Sequence, residues 1–585
     1  MKRVNVILLL FGILFAGCDL QEIPKDTPNS EQVFSSKRGL EKYANSFYTM
    51  LPSASDITHA DYLSDYATQN TIPELLRAGK LNARTVDRWD WENLRKINYF
   101  LQQNHNSDVT KKVRNNFNGI ARFYRAWFYF KKVKKYGKVP WINTPLDLDS
   151  EELEAPRDSR EMVMDSVLAD INYAIAHINT QRESSRTKIT KDVALALKSR
   201  ICLFEGTYRK YHPELNLDNT AESWLQESVD ATKNIIKSSA YSVYTGAGVK
   251  KSFKEIFTND QPINTSVLLA NVYSEDLGVQ HDANWWYTSG TYGKRLSFTR
   301  TFINTFLMED GTPFTNLNNY KTKTFVEEVK NRDARLAQSI RMPNYKMTNS
   351  SGEEVLTPPN FSYTYSGYQP IKWIIPDKHY NDRDYNINSI PIFRYAEILL
   401  NYAESKAELG SITNADWNKT VGALRRRAGI TGGTSTLPSK VDPYLQKTYF
   451  PGISDPIILE IRRERGVELA LEGFRFDDIR RWKRGELMEM KWLGMYVPSA
   501  NSYIDLTGNG EPDIYFYTNK KPEDRKDGVQ YANIGTDDWS LTSENGGYLI
   551  RLPNQNKVWK DKKYLYPINK KDLQKNSNLK QNPGW

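Results

Sequence analysis

Apolar residues recur at steps of three and four over most of the chain, and that period fails in two stretches, 240–389 and 498–558, where Gly, Pro, Asn, Asp and Tyr accumulate. From Gly119, the residues Ile120, Phe123, Trp127, Phe130 and Val133 fall on one face, and Gly137 followed by Pro140 closes the run. This predicts one amphipathic helix with Arg and Lys on its wet side. Two further runs, "REMVMDSVLADINYAIAHI" and "TKDVALALKSRICLFEGTYRKY", predict a helix hairpin. In the second, Ala194, Lys198 and Cys202 form one row and Val193, Leu197 and Ile201 the next, so small and large residues share a face, as closely packed helices require. "FRYAEILLNYAESKAELG" and "NADWNKTVGALRRRAG" predict a second hairpin, with Ala403 and Ala407 beside Leu399, Leu400 and Leu409.

Hairpins with Ala at close contacts resemble tetratricopeptide repeats, without the strict period or the full Trp-Leu-Gly-Tyr pattern. The expected fold is mainly α: a tetratricopeptide-like helix-hairpin scaffold interrupted by loop-rich, partly β excursions that carry the ligand face. Runs such as "TSVLLANVY" and "YQPIKWIIP" predict extended pieces in the first excursion. The chain divides accordingly into 1–17, 18–30, an N-terminal helical scaffold over 31–239, the loop-rich 240–389, and a C-terminal helical region over 390–585 that contains the irregular 498–558. Loops held on a rigid scaffold are where binding surfaces usually lie.

The first segment sets the address. "MKRVNVILLLFGILFAGC" has a basic start, an apolar run from Val6 to Ala16 and small residues before Cys18, the layout of a secretory signal. The apolar run is too short to span a bilayer comfortably. "FAGC" resembles a bacterial lipobox, in which the Cys18 thiol is lipidated and becomes the mature N-terminus, with Phe15 where Leu is usual. Residues 18–30 then form a polar tether, and several acyl chains on Cys18 would hold the protein to a membrane. The remaining cysteine, Cys202, sits in a helical run where a lone thiol acts as a small buried hydrophobe, so the core alone stabilises the secreted chain. The net charge of +10 is interspersed along the helices without a zinc-finger spacing or basic arm, and nucleic acid is not an expected partner.

No catalytic signature appears. The six His are scattered, with no H-E-x-x-H, G-x-S-x-G or P-loop, and no pair of carboxylates stands out as a glycosidase would require. In "ILEIRRERGVELALEGFRFDDIRRWKRGE", Glu460, Glu464, Glu468 and Glu472 recur every fourth residue. Such a row weakens a helix unless cations lie beside it, and Arg463, Arg465, Arg475, Arg480 and Arg481 are at hand. An ion-pair network is preferred over an anion site. "DLTGNGEPD" sets Asp505, Thr507, Asn509 and Asp513 at the spacing that opens a calcium loop, with Glu511 between and Gly510 for the sharp turn. Phe516 stands where a bidentate Glu belongs, so a structural calcium ion and a plain Asx-rich turn both remain open; no other cofactor is required.

Aromatic residues are the remaining signal, since Trp and Tyr offer flat apolar faces and polar edges to a sugar ring. The stretch "HDANWWYTSGTYGKR" crowds Trp285, Trp286, Tyr287 and Tyr292 into a segment with no helical or strand period, flanked by Asn284 and Lys294 as polar neighbours. If the segment is extended, Trp285 and Trp286 point to opposite sides, and at least one is structural. Trp91 is expected buried and Trp89, beside Arg84 and Arg88, at the surface; Tyr363, Tyr365 and Tyr368 alternate as on a strand with one open face. The expected ligand contacts are therefore Trp285, Trp286, Tyr287, Tyr292, Trp89, Tyr368, Arg84, Asn284 and Lys294.

The order of motifs carries a further likeness. The lipobox, "WENLRKINYFLQQN", "RFYRAWFYFKKVKKYGKVPWI", "FLMEDGTPF", "RDARL", "IPIFRYAEILLNYAESKAELG", "ALRRRAGI", "ILEIRRERGVELALEGFRFDDIRRWKRGE" and the terminal "LYPINKKDLQKNSNLKQNPGW" together resemble the SusD/RagB family of Bacteroidetes outer-membrane lipoproteins, over nearly the whole mature chain. The resemblance implies a lipid-anchored protein facing the cell exterior, built on a tetratricopeptide-like scaffold, that acts without catalysis. It further implies capture of an oligosaccharide, or alternatively a peptide, and delivery to a TonB-dependent β-barrel transporter of the SusC type. Ligand contacts in the family come from variable loops, so no site residue is carried over. A glycoside hydrolase is the rival of a different class.

Overall fold

The computed structural model describes residues 30–179 and 181–585; the expected signal segment 1–17 and lipidation at Cys18 lie outside the described residues. The longest helix, Lys111–Tyr136, begins at Lys111 rather than at Gly119 and stops at Gly137, whose φ of 75° suits a residue without Cβ. Gly119 instead permits a close crossing, because a Cβ there would lie 2.8 Å from Ile178 Cγ1, just beyond the Arg160–His177 helix.

The helices pair differently from the expected hairpins. Arg160–His177 packs mainly on Lys111–Tyr136, and Lys191–Tyr211 mainly on Ala221–Lys237. Two side-chain relationships explain the choice. Arg125 grips Asp170 through bonds of 2.6 and 2.8 Å in the first pair, and Ser228 Oγ donates to the Ser199 carbonyl at 3.2 Å in the second. Arg160 and Arg209 then share Glu205, at 2.7 and 2.8 Å, and tie the two pairs together. Cys202 is buried there as expected, and burial pushes its thiol pKa up. Tyr395–Glu408 likewise packs on Ala221–Lys237 and Pro456–Leu469 more than on the segment after it. That segment breaks at Thr420 into Asn414–Lys419 and Val421–Arg427.

Pro456–Leu469 carries Glu460, Glu464 and Glu468 of the acidic row, with Glu472 just beyond its end, and the row is buried and neutralised. Arg425 bonds Glu460 and Glu464, Arg335 bonds Glu464 and Glu468, and Arg394 bonds Glu468 and Glu472, all between 2.5 and 3.1 Å. Arg427 adds to Glu468 and Lys372 to Glu472. The cations come mostly from distant segments rather than from the row itself. Of the five nearby arginines, Arg463 joins Glu460, while Arg465, Arg475, Arg480 and Arg481 pair with Asp478, Asp65, Asp477 and Glu404. A buried charge stripped of its partner costs several kcal/mol, about 3–5, so this network locks the segments "RDARL", "IPIFRYAE" and "ALRRRAGI" around one helix.

The excursions are built from small sheets. Val267–Asn271 pairs antiparallel with Ile390–Arg394, as the first extended run predicted. "YQPIKWIIP" forms no strand: Trp373 is buried, its Nε1 donating 2.8 Å to the Leu471 carbonyl. The stretch 498–558, expected to be irregular, holds one three-stranded sheet and two strands of another that Trp492–Val497 completes. Ser502–Ile504 pairs antiparallel with Ile514–Tyr517, which pairs parallel with Gln530–Asn533. Gly547–Arg551 lies between Trp539–Leu541 and Trp492–Val497, antiparallel to both. Among the described residues, no helix is long and apolar enough to cross a membrane.

Candidate functional site

The segment around the paired tryptophans is not devoid of period. Ala283–Thr288 forms a short helix, so Trp285 and Trp286 diverge by a helical step instead of by strand alternation. Asn284 anchors it. Its Nδ2 donates to the Ile375 carbonyl at 2.8 Å, and its Oδ1 accepts from Ile375 N at 2.9 Å and Asn386 Nδ2 at 2.8 Å. Fully buried and saturated, Asn284 is a clamp on the 375–386 segment and not a ligand contact.

The four rings separate into two roles. Tyr287 is buried, with its hydroxyl donating 2.6 Å to the Thr58 carbonyl. Trp286 is buried and stacks on His59 with ring centroids 3.7 Å apart. Both fill the core, contrary to expectation, because the helix turns them toward the Ala54–Thr58 helix and His59. Trp285 is half-buried and Tyr292 is 37% exposed, and the two stack on each other at 3.7 Å. Tyr292 also meets Trp286 edge-on at 5.4 Å, so the open pair rests on the buried one.

Asp282 and His59 brace this ledge. Tyr292 donates to Asp282 Oδ2 at 2.9 Å, while His59 Nε2 lies 3.3 Å from Asp282 Oδ1. Burial opposes ionisation of Asp282, but His59 and the Tyr292 hydroxyl overcome it and hold its carboxyl below the usual range. Burial and the same carboxylate push the Tyr292 hydroxyl up to about 12, so it stays a donor at any physiological pH. Arg383, exposed, sits 5.8 Å over the Trp285 ring. His59 and Arg383 were missed because they lie far from the tryptophans in sequence; Asp282 stood within the quoted stretch and was passed over.

Other expected contacts lie elsewhere. Tyr368 is fully buried between Glu328, at 2.6 Å, and Arg300, at 3.2 Å, and the 361–369 segment is turn rather than strand. Trp89 is half-buried against Trp91 and Tyr136, each at 5.4 Å, and its backbone N–H donates to Asp572. Trp91 is half-buried as well, so the expected contrast between the two does not hold. Arg84 is exposed on a turn whose Asn82 Oδ1 accepts its N–H at 2.8 Å. Lys294 does border an opening: with Tyr62 beneath its ammonium at 5.1 Å, it lines a cleft of 510 Å³ that Ile72 and Thr85 also line.

The acidic turn at 505–513 is occupied by its own backbone. Asp505 accepts from the N–H groups of Thr507, Gly508 and Gly510, and Asp513 from those of Leu506 and Thr507. Glu511 N donates to Asn509 Oδ1 at 2.8 Å, and Phe516 is buried. Carboxylates that accept backbone amides in this way form an Asx-rich turn, and buried Phe516 stands where a calcium loop has its bidentate Glu. Among the described residues, no cluster of three His, Cys, Asp or Glu is placed to hold a metal ion.

The family model described as "SusD family" matches residues 259–585, more than half the chain and the part that carries both the ledge and the ion-pair helix. The chain belongs to the SusD family. A second model, described as "Starch-binding associating with outer membrane", matches residues 24–203. The SusD-like protein P2 of Formosa agariphila is 23% identical over 509 residues, covering 83% of this chain and 92% of that one. Among solved structures, a SusD-like protein from Bacteroides fragilis superposes with a TM-score of 0.68 at 21% identity, covering 96% of this chain and 99% of that one. A SusD-like carbohydrate binding protein from the same species gives 0.69 at 19% identity, covering 94% and 100%. The mainly helical SusD fold with small scattered sheets is thus shared.

Proposed function

We propose that this protein is a surface-exposed lipoprotein of the outer membrane, anchored through Cys18, that captures oligosaccharides and passes them to a partner TonB-dependent β-barrel transporter of the SusC type. It acts by binding, without catalysis. The observation that carries the reading is the Trp285–Tyr292 pair, stacked at 3.7 Å, half open to solvent and held from beneath by Trp286 and His59. Preorganised rings present an apolar face with polar edges, which suits the C–H faces and hydroxyls of a sugar ring. Membership of the SusD family and the carbohydrate-binding description of a structural relative support it.

Each ring contact contributes about 0.5–1.5 kcal/mol, so affinity is modest and shared with neighbours such as Arg383. The test is affinity electrophoresis of the wild type and a Trp285→Ala, Tyr292→Ala double variant through a polysaccharide panel, with a peptide mixture in a parallel titration. Retardation by a glycan that the double variant loses is the expected result. Equal retardation of both proteins, or binding of peptides alone, would sink the reading.

A further inference from the structure

We propose that Arg295 and Arg551 form an anion-recognition subsite beside the ledge, so that the captured glycan is an acidic one, bearing carboxylate or sulfate groups. The inference rests on the glycan-capture reading and names its substrate class. Both guanidinium groups lie over one ring, that of Tyr365, at 4.9 and 4.2 Å. Among the described residues, neither forms an ion pair with a carboxylate. Arg295 makes no side-chain hydrogen bond there, and its Nε is buried without a partner. Arg551 donates only to the backbone carbonyls of Asn70, at 2.7 Å, and Asp538, at 2.8 Å, and its Nε is likewise unpartnered. The Asp538 carboxylate accepts instead from Gln555 at 3.2 Å.

Arg335, Arg394 and Arg425, by contrast, each hold two carboxylates. Two planar cations left together on an aromatic face match the bidentate geometry of a carboxylate or sulfate. Burial, with repulsion from Arg295, holds Arg551 below the ordinary arginine range, so an incoming anion relieves an existing cost.

The pair also belongs to the ledge. A Cβ on Gly290 would lie 3.7 Å from Arg295 Nε, so the guanidinium lies against the same short loop that presents Tyr292. Lys294 and Arg295 both take left-handed backbone, at φ 55° and 52°, a conformation that costs non-glycine residues about 1 kcal/mol each and that accumulates at ligand sites. Lys294 lines the 510 Å³ cleft and Arg551 an adjoining one of 130 Å³, and Ile72 borders both. A charged oligosaccharide can therefore stack on the ledge while its acid groups reach the two arginines.

The test is calorimetric titration with two matched pairs: oligogalacturonate against its methyl ester, and dextran sulfate oligosaccharide against dextran. The expected result is that the charged member of one pair binds about ten-fold tighter, and that the advantage shrinks with added salt. The pair that shows it distinguishes carboxylate from sulfate. Arg295→Gln and Arg551→Gln are each expected to reduce the charged-to-neutral ratio about ten-fold. Arg551→Lys, which keeps the charge and loses the fork, is expected to fall between, and serves if a Gln variant does not fold. Equal affinity for both members, or binding only to neutral glycans, overturns the subsite and leaves glycan capture standing. A charge preference that both Gln variants retain also overturns it. Failure to bind any carbohydrate removes the capture reading and this inference together.

Discussion

The Trp285 and Tyr292 rings lie 18° from parallel at 3.7 Å, and Tyr292 is held in that pose by its 2.9 Å hydrogen bond to Asp282. The ring supplies the stacking surface and the hydroxyl fixes it, so the two contributions are separable. Tyr292→Phe is expected to keep the stack and lower glycan affinity by less than about three-fold, while Tyr292→Ala lowers it by about ten-fold. Because Tyr292 is 37% exposed, neither change is expected to move the thermal midpoint by more than about 2 °C. Calorimetry and a melting curve on the same preparations read both.

Gly293 closes the loop beneath this pair. A Cβ there would fall 1.4 Å from the Trp286 carbonyl oxygen, with no flexible side chain to yield. Gly293→Ala is expected to displace the 289–295 loop, destabilise the fold by about 1–3 kcal/mol and abolish ledge binding. Urea unfolding and affinity electrophoresis of the variant check both outcomes.

Glu468 is fully buried and accepts from Arg335, Arg394 and Arg427 together. Glu468→Gln leaves three buried guanidinium groups short of charge, and a loss of about 3–5 kcal/mol is expected in denaturant unfolding. A change below about 1 kcal/mol would mean that the network contributes little to stability.

Acid sensitivity follows from Glu404. Burial opposes its ionisation, but Arg481, Arg465 and Arg462 overcome burial and hold it at about 2 against an ordinary 4.5. The folded pKa lies below the unfolded one, so this stabilisation is complete above pH 4.5 and is lost as pH falls toward 2. Asp61 runs the other way: burial raises it to about 6 from 3.8, so its contribution declines as pH rises from 3.8 through 6. Urea midpoints measured from pH 2 to 6.5 are expected to fall steeply at the acid end, and Glu404→Gln to flatten that limb.

Much of the scaffold was legible in local pattern. The end of the long helix at Gly137 and the burial of Cys202 follow from spacing that one segment carries within itself, and the four-residue acidic repeat announced an ion-pair network although most of its cations come from elsewhere. The helix pairing was not, because an apolar stripe reports that a face is covered and not which helix covers it. Arg125 with Asp170 and Ser228 with Ser199 decide that, and each pair joins different helices. The sheets between Trp492 and Arg551 escaped notice because short strands among Gly and Asp carry too few alternations to stand out.

At the ledge the division is equally physical. By itself the sequence determined that four large rings gather in one short stretch within a SusD-like order of motifs, since composition and motif order are local properties. Only the tertiary structure decided their fates. His59, brought from the N-terminal part of the chain, caps Trp286 and sends it inward; Asp282 holds Tyr292 against Trp285 and leaves that pair outside. Burial depends on which distant residue arrives to cover a ring, and that is set by the packing of the whole chain.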